Sequence, residues 1–437
     1  MNGLYLANIF IIQNIKKGKE IIMKTKIING GIIIDGTGKL PIKDMAVVIE
    51  GKKIKSVCKD SEINMYQDKE VEIIDANGKI IMPGLIDSHV HIYTDGETTD
   101  FYSLPIYNNN LALAMKSIPR LKRTLEMGIT SLRDGGSGWG WLEVALRDAI
   151  NRGDIIGPRY FATGYHLTVT GGHGYFLPPW LANMPVHPEQ STIHCDGPDA
   201  WRRAARLNLY NGTDNIKVVA SRSIISKGIA GAPQATIEEL KAAIEEAHKM
   251  GKKTMAHSEG LIATKNAIEA GVDAIVHGTY TDEECAEMMV TNNVILQPTN
   301  YVLKAIAFYG KDELPEWSLK ANMAWEDRKR NFKMYLDKGV KVSFGSDAGV
   351  SYLRQGDNAK ELETFVELGM STMDAIVAGT KTSAEDIGID NITGTIENGK
   401  MADIILIDGN PLQDISILCK EDKIKMVMKE GEIVITR

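Results

Sequence analysis

Residues 236–258 read TIEELKAAIEEAHKMGKKTMAHS. Apolar residues recur at helical spacing as far as Met250, Gly251 supplies the turn that ends a helix, and the short apolar strand TMAHS follows. The same order returns in LEVALRDAINRG, in ATKNAIEAG leading to AIVHG, and in WEDRKRNFKMYLDKG leading to KVSFGSDAG. Repeated helix, glycine and strand is the pattern of βα units on a parallel sheet. Residues 83–387 hold enough of these units for an α/β fold of the (β/α)8 TIM-barrel type. An open doubly wound sheet is the competing arrangement, but no GxGxxG follows a strand to support it.

The flanks have a different texture. Residues 24–82 carry short β-branched runs split by glycine turns, such as KIINGGIIIDGTG, and residues 388–437 repeat it in MADIILIDGNPL and IKMVMKEGEIVIT. Together they are expected to form one small β-sandwich, interrupted by the barrel. Residues 1–23 read as an N-terminal extension. Their apolar run precedes the lysines and is too short to span a bilayer, and Met23 is the expected natural start. The stretch from Gly171 to Asp199, rich in Pro, Gly, Trp and His, reads as a long loop on the active face.

A length of 437 residues exceeds one small core, and a net charge of −7 provides no concentrated basic surface for nucleic acid or an anionic membrane. No apolar run approaches ~18 residues. The four cysteines form no CxxC pair, so neither a zinc ribbon nor a disulfide framework is expected, and a reducing cytoplasm is the expected location.

Catalytic residues of a barrel sit at the C-terminal ends of its strands, and polar residues interrupt the apolar runs at those places. In IIMPGLIDSHVHIY, His89 and His91 are two apart and project to one face of a strand, within reach of one metal ion. Alone, such a pair reads equally well as two polar loop histidines. His257 ends KKTMAH, His277 ends DAIVH and Asp347 ends KVSFGSD; four histidines and an aspartate at successive strand ends are hard to explain separately. Nitrogen and oxygen donors of this kind suit zinc, with manganese, iron, cobalt or nickel also compatible. Lys217, in NIKVVAS, occupies the same kind of place. Beside dications a protonated lysine would be repelled and poorly solvated, so it must be neutral, displaced or chemically changed.

With these residues in order, PGLIDSHVH, GITSLRDGG, GPR (157–159), TGGHG (170–174), AIEAGVDAIVHG, GSDAG and GTIENGKMADIILIDGNPL make the chain resemble the amidohydrolase superfamily over nearly its whole length from Lys24. The branch it resembles most contains prolidase-type (Xaa-Pro) dipeptidases and related amide hydrolases, ochratoxin hydrolases among them. The resemblance implies a hydrolase of C–N amide or peptide bonds in small molecules, and a homo-oligomer. It implies two divalent metal ions, with His89, His91 and Asp347 on one, His257 and His277 on the other, and Lys217, carbamylated by CO2, bridging both. A hydroxide between the ions would be the nucleophile, with Asp347 as general base and then acid. A one-metal cyclic-amide hydrolase or deaminase would leave Lys217 unmodified, and a non-catalytic scaffold would have lost ligands.

His173, among the glycines of TGGHG, is the candidate catalytic or substrate contact; His166 is a weaker one. Two departures bear on the substrate. ASRSIISKG replaces the Gly-Gly pair common in relatives, bringing Arg222 and Lys227 towards the mouth. Glu259 stands where relatives often carry a histidine or tyrosine, and would repel a free carboxylate at close range. His187, His194 and His248 read as loop or solvated residues, Asp87 as structural, and Arg133, Asp134 and Arg159 as residues supporting the ligands from behind, ion-pair residues at the barrel mouth, or purely structural.

Overall fold

The computed structural model describes residues 25–66, 70–97, 108–136, 139–174 and 192–437. The expected extension 1–23 and His187 lie outside these. The fold is α/β. Its unit is clearest where the reading began. The helix Ile237–Lys249 starts in a capping box, with Thr236 accepting from the Glu239 amide and Glu239 reaching back to the Thr236 amide. Its Leu240, Ala243, Ile244 and Ala247 pack on the outer faces of strands Asn215–Val219 and Lys253–Ser258, through Ile216, Val218 and Ala256. These strands are buried on both faces, as in a parallel sheet covered by helices.

The parallel strands fall into two sheets. Six strands run in the order Thr192–His194, His166–Thr168, Asn215–Val219, Lys253–Ser258, Ala274–His277, Ile295–Gln297, and three in the order Leu85–Val90, Ile129–Asp134, Arg159–Phe161. KVSFGSDAG, expected as a strand, is irregular, and it ends in left-handed backbone, with φ of 62° at Asp347 and 106° at Gly349. It still lies between the sheets: Ser343 N donates to Leu296 O at 3.0 Å, Ser88 N to Phe344 O at 2.7 Å and Asp347 N to His89 O at 2.8 Å. On the other side Asp214 N donates to Ala162 O at 2.7 Å.

Strands from both ends of the chain share one sheet, ordered Glu432–Thr436, Ile424–Lys429, Ile404–Ile407, Ile80–Pro83, Ile32–Ile33, with Ile404 paired to Pro83. A four-stranded sheet of Lys53–Lys59, Met45–Glu50, Thr25–Asn29 and Val71–Asp75 packs against it through Ile28, Val47, Ile81, Ile404 and Met428. Arg159 fastens this part to the parallel strands, donating to Asp403 at 2.7 Å and Glu430 at 3.2 Å. Removing one member of a buried pair costs about 3–5 kcal/mol, and the Asp403 side chain is wholly buried. Arg159→Ala is therefore expected to lower the free energy of unfolding by that order, read from the shifted midpoint of a denaturant titration. Among the described residues no helix is long and apolar enough to cross a membrane.

Candidate active site

Parallel pairing sets Val219 opposite His257 and Ser258 opposite His277. Alternation then places Lys217, Val219, Met255 and His257 on one face, directed to the interior between the sheets. Lys217 is 2% exposed there. By the same rule His277 should leave that face with Ser258. Instead its φ of 71° breaks the alternation at the last strand residue, and the ring lies 4.6 Å from that of His257. The hydroxyl of Thr299, 2.7 Å from Nδ1, fixes the ring. Arg328 donates to the His277 carbonyl, and the Tyr335 hydroxyl to that of Gly278 at 2.8 Å. Left-handed backbone at non-glycine residues costs about 1–3 kcal/mol each, and both His277 and Asp347 carry it. The strain falls on residues whose side chains must converge.

The first donor group is compact. His89 Nε2 and His91 Nε2 are 3.3 Å apart, and Asp347 Oδ1 is 3.5 and 3.2 Å from them. Ligands ~2.0–2.1 Å from a tetrahedral ion stand about 3.3–3.4 Å from one another. His91 Nδ1 lies 3.1 Å from Gly136 O, which leaves Nε2 as the outward donor. Asp87 accepts from the amides of His89 and Ser346, both at 3.1 Å, and Asp134 from Ile92 N, Gly136 N and the Tyr160 hydroxyl. Both carboxylates shape the backbone that carries the ligands. A Cβ on Gly135 would stand 2.4 Å from His89 Nε2 and 2.8 Å from His91 Cε1. Since a 1 Å misplacement can cost about 100-fold in rate, Gly135→Ala is expected to lower kcat/KM by roughly that factor, checked beside a thermal melt to separate misplacement from unfolding.

His257, Glu259 and His277 form a second group, with one donor atom from each lying within 4.8 Å of the others. In the second group the buried His257 Nε2 and Glu259 Oε2 complete no hydrogen bond of good geometry. Such atoms cost about 1–3 kcal/mol each unless something satisfies them, and a divalent cation fits this donor set. Burial pushes His89 and His257 well below the usual histidine range, and His277 down to about 3, which keeps the rings neutral as ligation requires. Burial also draws Lys217 down to about 7, against the pull of Asp347. Asp347 would be raised by burial, but the His91 hydrogen bond and the surrounding positive groups outweigh it and hold the carboxyl below its ordinary value.

Both groups and Lys217 line one pocket. Its other wall is apolar, made by Ile224, Ile225, Val302, Leu303, Ile306 and Val350. His173 lines it too, stacked on His257 at 4.2 Å with Nδ1 2.9 Å from Ser226 Oγ; burial takes its ring down to about 3. His166 faces the pocket with Nε2 2.7 Å from Gly135 O. Arg222 is not among the lining residues. Its guanidinium donates to Lys227 O at 3.1 Å and Gly171 O at 3.3 Å on the outer loop. Arg133 is buried against Asp386 at 2.9 Å, and Arg159 lies at the terminal sheet, so neither is at the mouth. His194 meets the Thr192 hydroxyl at 3.1 Å, and His248 meets Asp273 at 2.8 Å, both outside the pocket. Sequence reasoning passed over Thr299 and the helix Asn300–Tyr309; its NYVLKAIAF run was the available signal for the apolar wall.

Residues 80–434 match the Amidohydrolase family, a span that contains all six expected ligands. The chain belongs to the amidohydrolase family. It is an enzyme, a hydrolase of carbon–nitrogen bonds, and the resemblance to prolidase and ochratoxin-hydrolase relatives is borne out. Ochratoxinase of Aspergillus niger is 31% identical over 430 residues, covering 94% of this amidohydrolase and 86% of that protein. A solved Xaa-Pro dipeptidase with methionine bound in its active site is 31% identical, with a TM-score of 0.82, covering 94% of this chain and 99% of that one. A solved prolidase complexed with n-methylphosphonate-L-proline is 28% identical, with a TM-score of 0.84, covering 94% and 100%.

Proposed function

We propose that this amidohydrolase is a metal-dependent hydrolase that cleaves an amide or peptide bond of a small molecule at a two-metal centre. The observation that carries the reading is the spacing of His89, His91 and Asp347 donors at 3.2–3.5 Å, beside a second donor group and a buried lysine. We read the parallel strands, with the irregular segment 341–348 between the two sheets, as a (β/α)8 barrel spanning residues 83–387. The terminal sheets are read as one β-sandwich of residues 24–82 and 388–437.

His89, His91 and Asp347 would hold one ion, their nitrogen and oxygen donors suiting zinc, and His257 with His277 the other. Lys217, whose neutral amine can add to CO2 with loss of a proton, would bridge them as a carbamate. When bound, the ions supply a water activated at neutral pH and polarise the scissile carbonyl. Asp347 takes the proton of the attacking water and returns it to the departing nitrogen, so one carboxylate acts as base and then acid. His173, with Nδ1 2.9 Å from Ser226 Oγ, would in the tautomer protonated at Nε2 donate to a substrate oxygen. The apolar wall of Val302, Leu303 and Ile306 suits an apolar substituent, as in dipeptides and N-acyl amino acids with such side chains.

The test is hydrolysis of a panel of dipeptides, N-acyl amino acids and lactams, with and without a chelator. Cleavage that stops on chelation and returns with a divalent ion is the expected result. Full activity after exhaustive chelation would remove the metal from the mechanism.

A further inference from the structure

Resting on the two-metal reading, we infer that Glu259 is a protein ligand of the second ion, completing a two-histidine, one-carboxylate set with His257 and His277. The spacing supports it first. His257 and Glu259 are two residues apart, as are His89 and His91, and both pairs turn into the pocket. Each donor group then contains two imidazoles and one carboxylate: His89, His91 and Asp347 in one, His257, His277 and Glu259 in the other, with Lys217 lining the same pocket.

The environment of the carboxylate supports it second. Glu259 is 2% exposed. Its amide is fixed by Ser221 Oγ at 2.8 Å, and its Oε1 accepts from Ser223 Oγ at 2.9 Å and Ile224 N at 3.3 Å. These contacts orient the group and leave the other oxygen over. Oε2 completes no hydrogen bond of good geometry; the Thr279 hydroxyl beside it and the more distant Arg328 charge are what it has from the protein. Among the described residues no ion pair reaches the carboxylate. A buried carboxylate oxygen with no ion pair and no well-formed hydrogen bond is costly to keep, and a dication shared with two neutral imidazoles would satisfy it. With Glu259 in place, three carboxylate-type groups and a hydroxide balance two dications.

The consequence is that the second ion has three side-chain ligands of its own and does not depend on the Lys217 bridge. The experiment is a Co(II) titration of the metal-stripped full chain in bicarbonate, followed by calorimetry and by the visible absorption of bound cobalt. Wild type is expected to take up about two ions, and Glu259→Gln to bind one of them at least ~10-fold more weakly with a changed cobalt spectrum. Glu259→Asp, which keeps the charge on a shorter arm, is expected to restore part of that affinity, and it carries the test if the glutamine variant does not fold. Two ions bound by Glu259→Gln with wild-type affinity and spectrum, and a change only in KM, would overturn the inference and make Glu259 a substrate contact. Uptake of a single ion by wild type would instead bring down the two-metal reading itself.

Discussion

Replacing Lys217 with alanine is expected to lower kcat/KM by at least about 100-fold while leaving the chain folded. Outer partners of metal ligands, when removed, already cost about 10–100-fold in affinity or activity, and a bridging group touches both ions. Folding should survive, because the change removes a buried amine and not a core hydrophobe; Val218 and Val219, which pack the strand, remain. The second part of the expectation is chemical. If the working form is a carbamate, a short carboxylate such as acetate or propionate can enter the space left by the side chain and restore part of the rate. Methylamine, which matches the unmodified lysine, should restore nothing. Full activity in the variant without added carboxylate would dismiss the bridge.

The second large effect belongs to Asp347. A general base and acid contributes about 10²–10⁴-fold, equivalent to roughly 2.7–5.4 kcal/mol of barrier. Asp347→Asn keeps the shape of the side chain and one oxygen for ligation, so kcat is expected to fall by that factor with a smaller change in KM. The position is demanding: its φ is 62°, a conformation asparagine tolerates better than most residues. Asparagine is therefore the informative substitution, since alanine would add backbone strain to the lost carboxylate. A kcat within a factor of a few of wild type would assign proton transfer to another group.

The expected ligands were legible because burial of apolar strands leaves so few reasons for a histidine or lysine at a strand end. Helices such as Ile237–Lys249 and Leu142–Arg152 were legible from apolar periodicity and the following glycine. What strand periodicity could not give was direction at the last residue of a strand. Alternation alone turns His277 away from His257, and only the left-handed backbone, held by Arg328 and Tyr335 from the distant helix Pro315–Lys338, turns it back. At the end of KVSFGSDAG the expected strand geometry is likewise lost, where Asp347 turns into left-handed backbone. Long-range partners were also hidden: Arg159 in GPR pairs with Asp403 across 244 positions, so no local pattern could choose between the mouth and the terminal sheet. Glu259 was visible as an odd acid. Its buried, half-satisfied carboxylate emerged only when Ser223 and Ile224 folded over it.

The most direct test of the two-metal centre is an elemental count on the full chain, purified without chelator in medium supplemented with bicarbonate and a divalent metal. About two tightly held ions per chain is the result this account predicts. Fewer than one per chain in protein that is active and folded would contradict it.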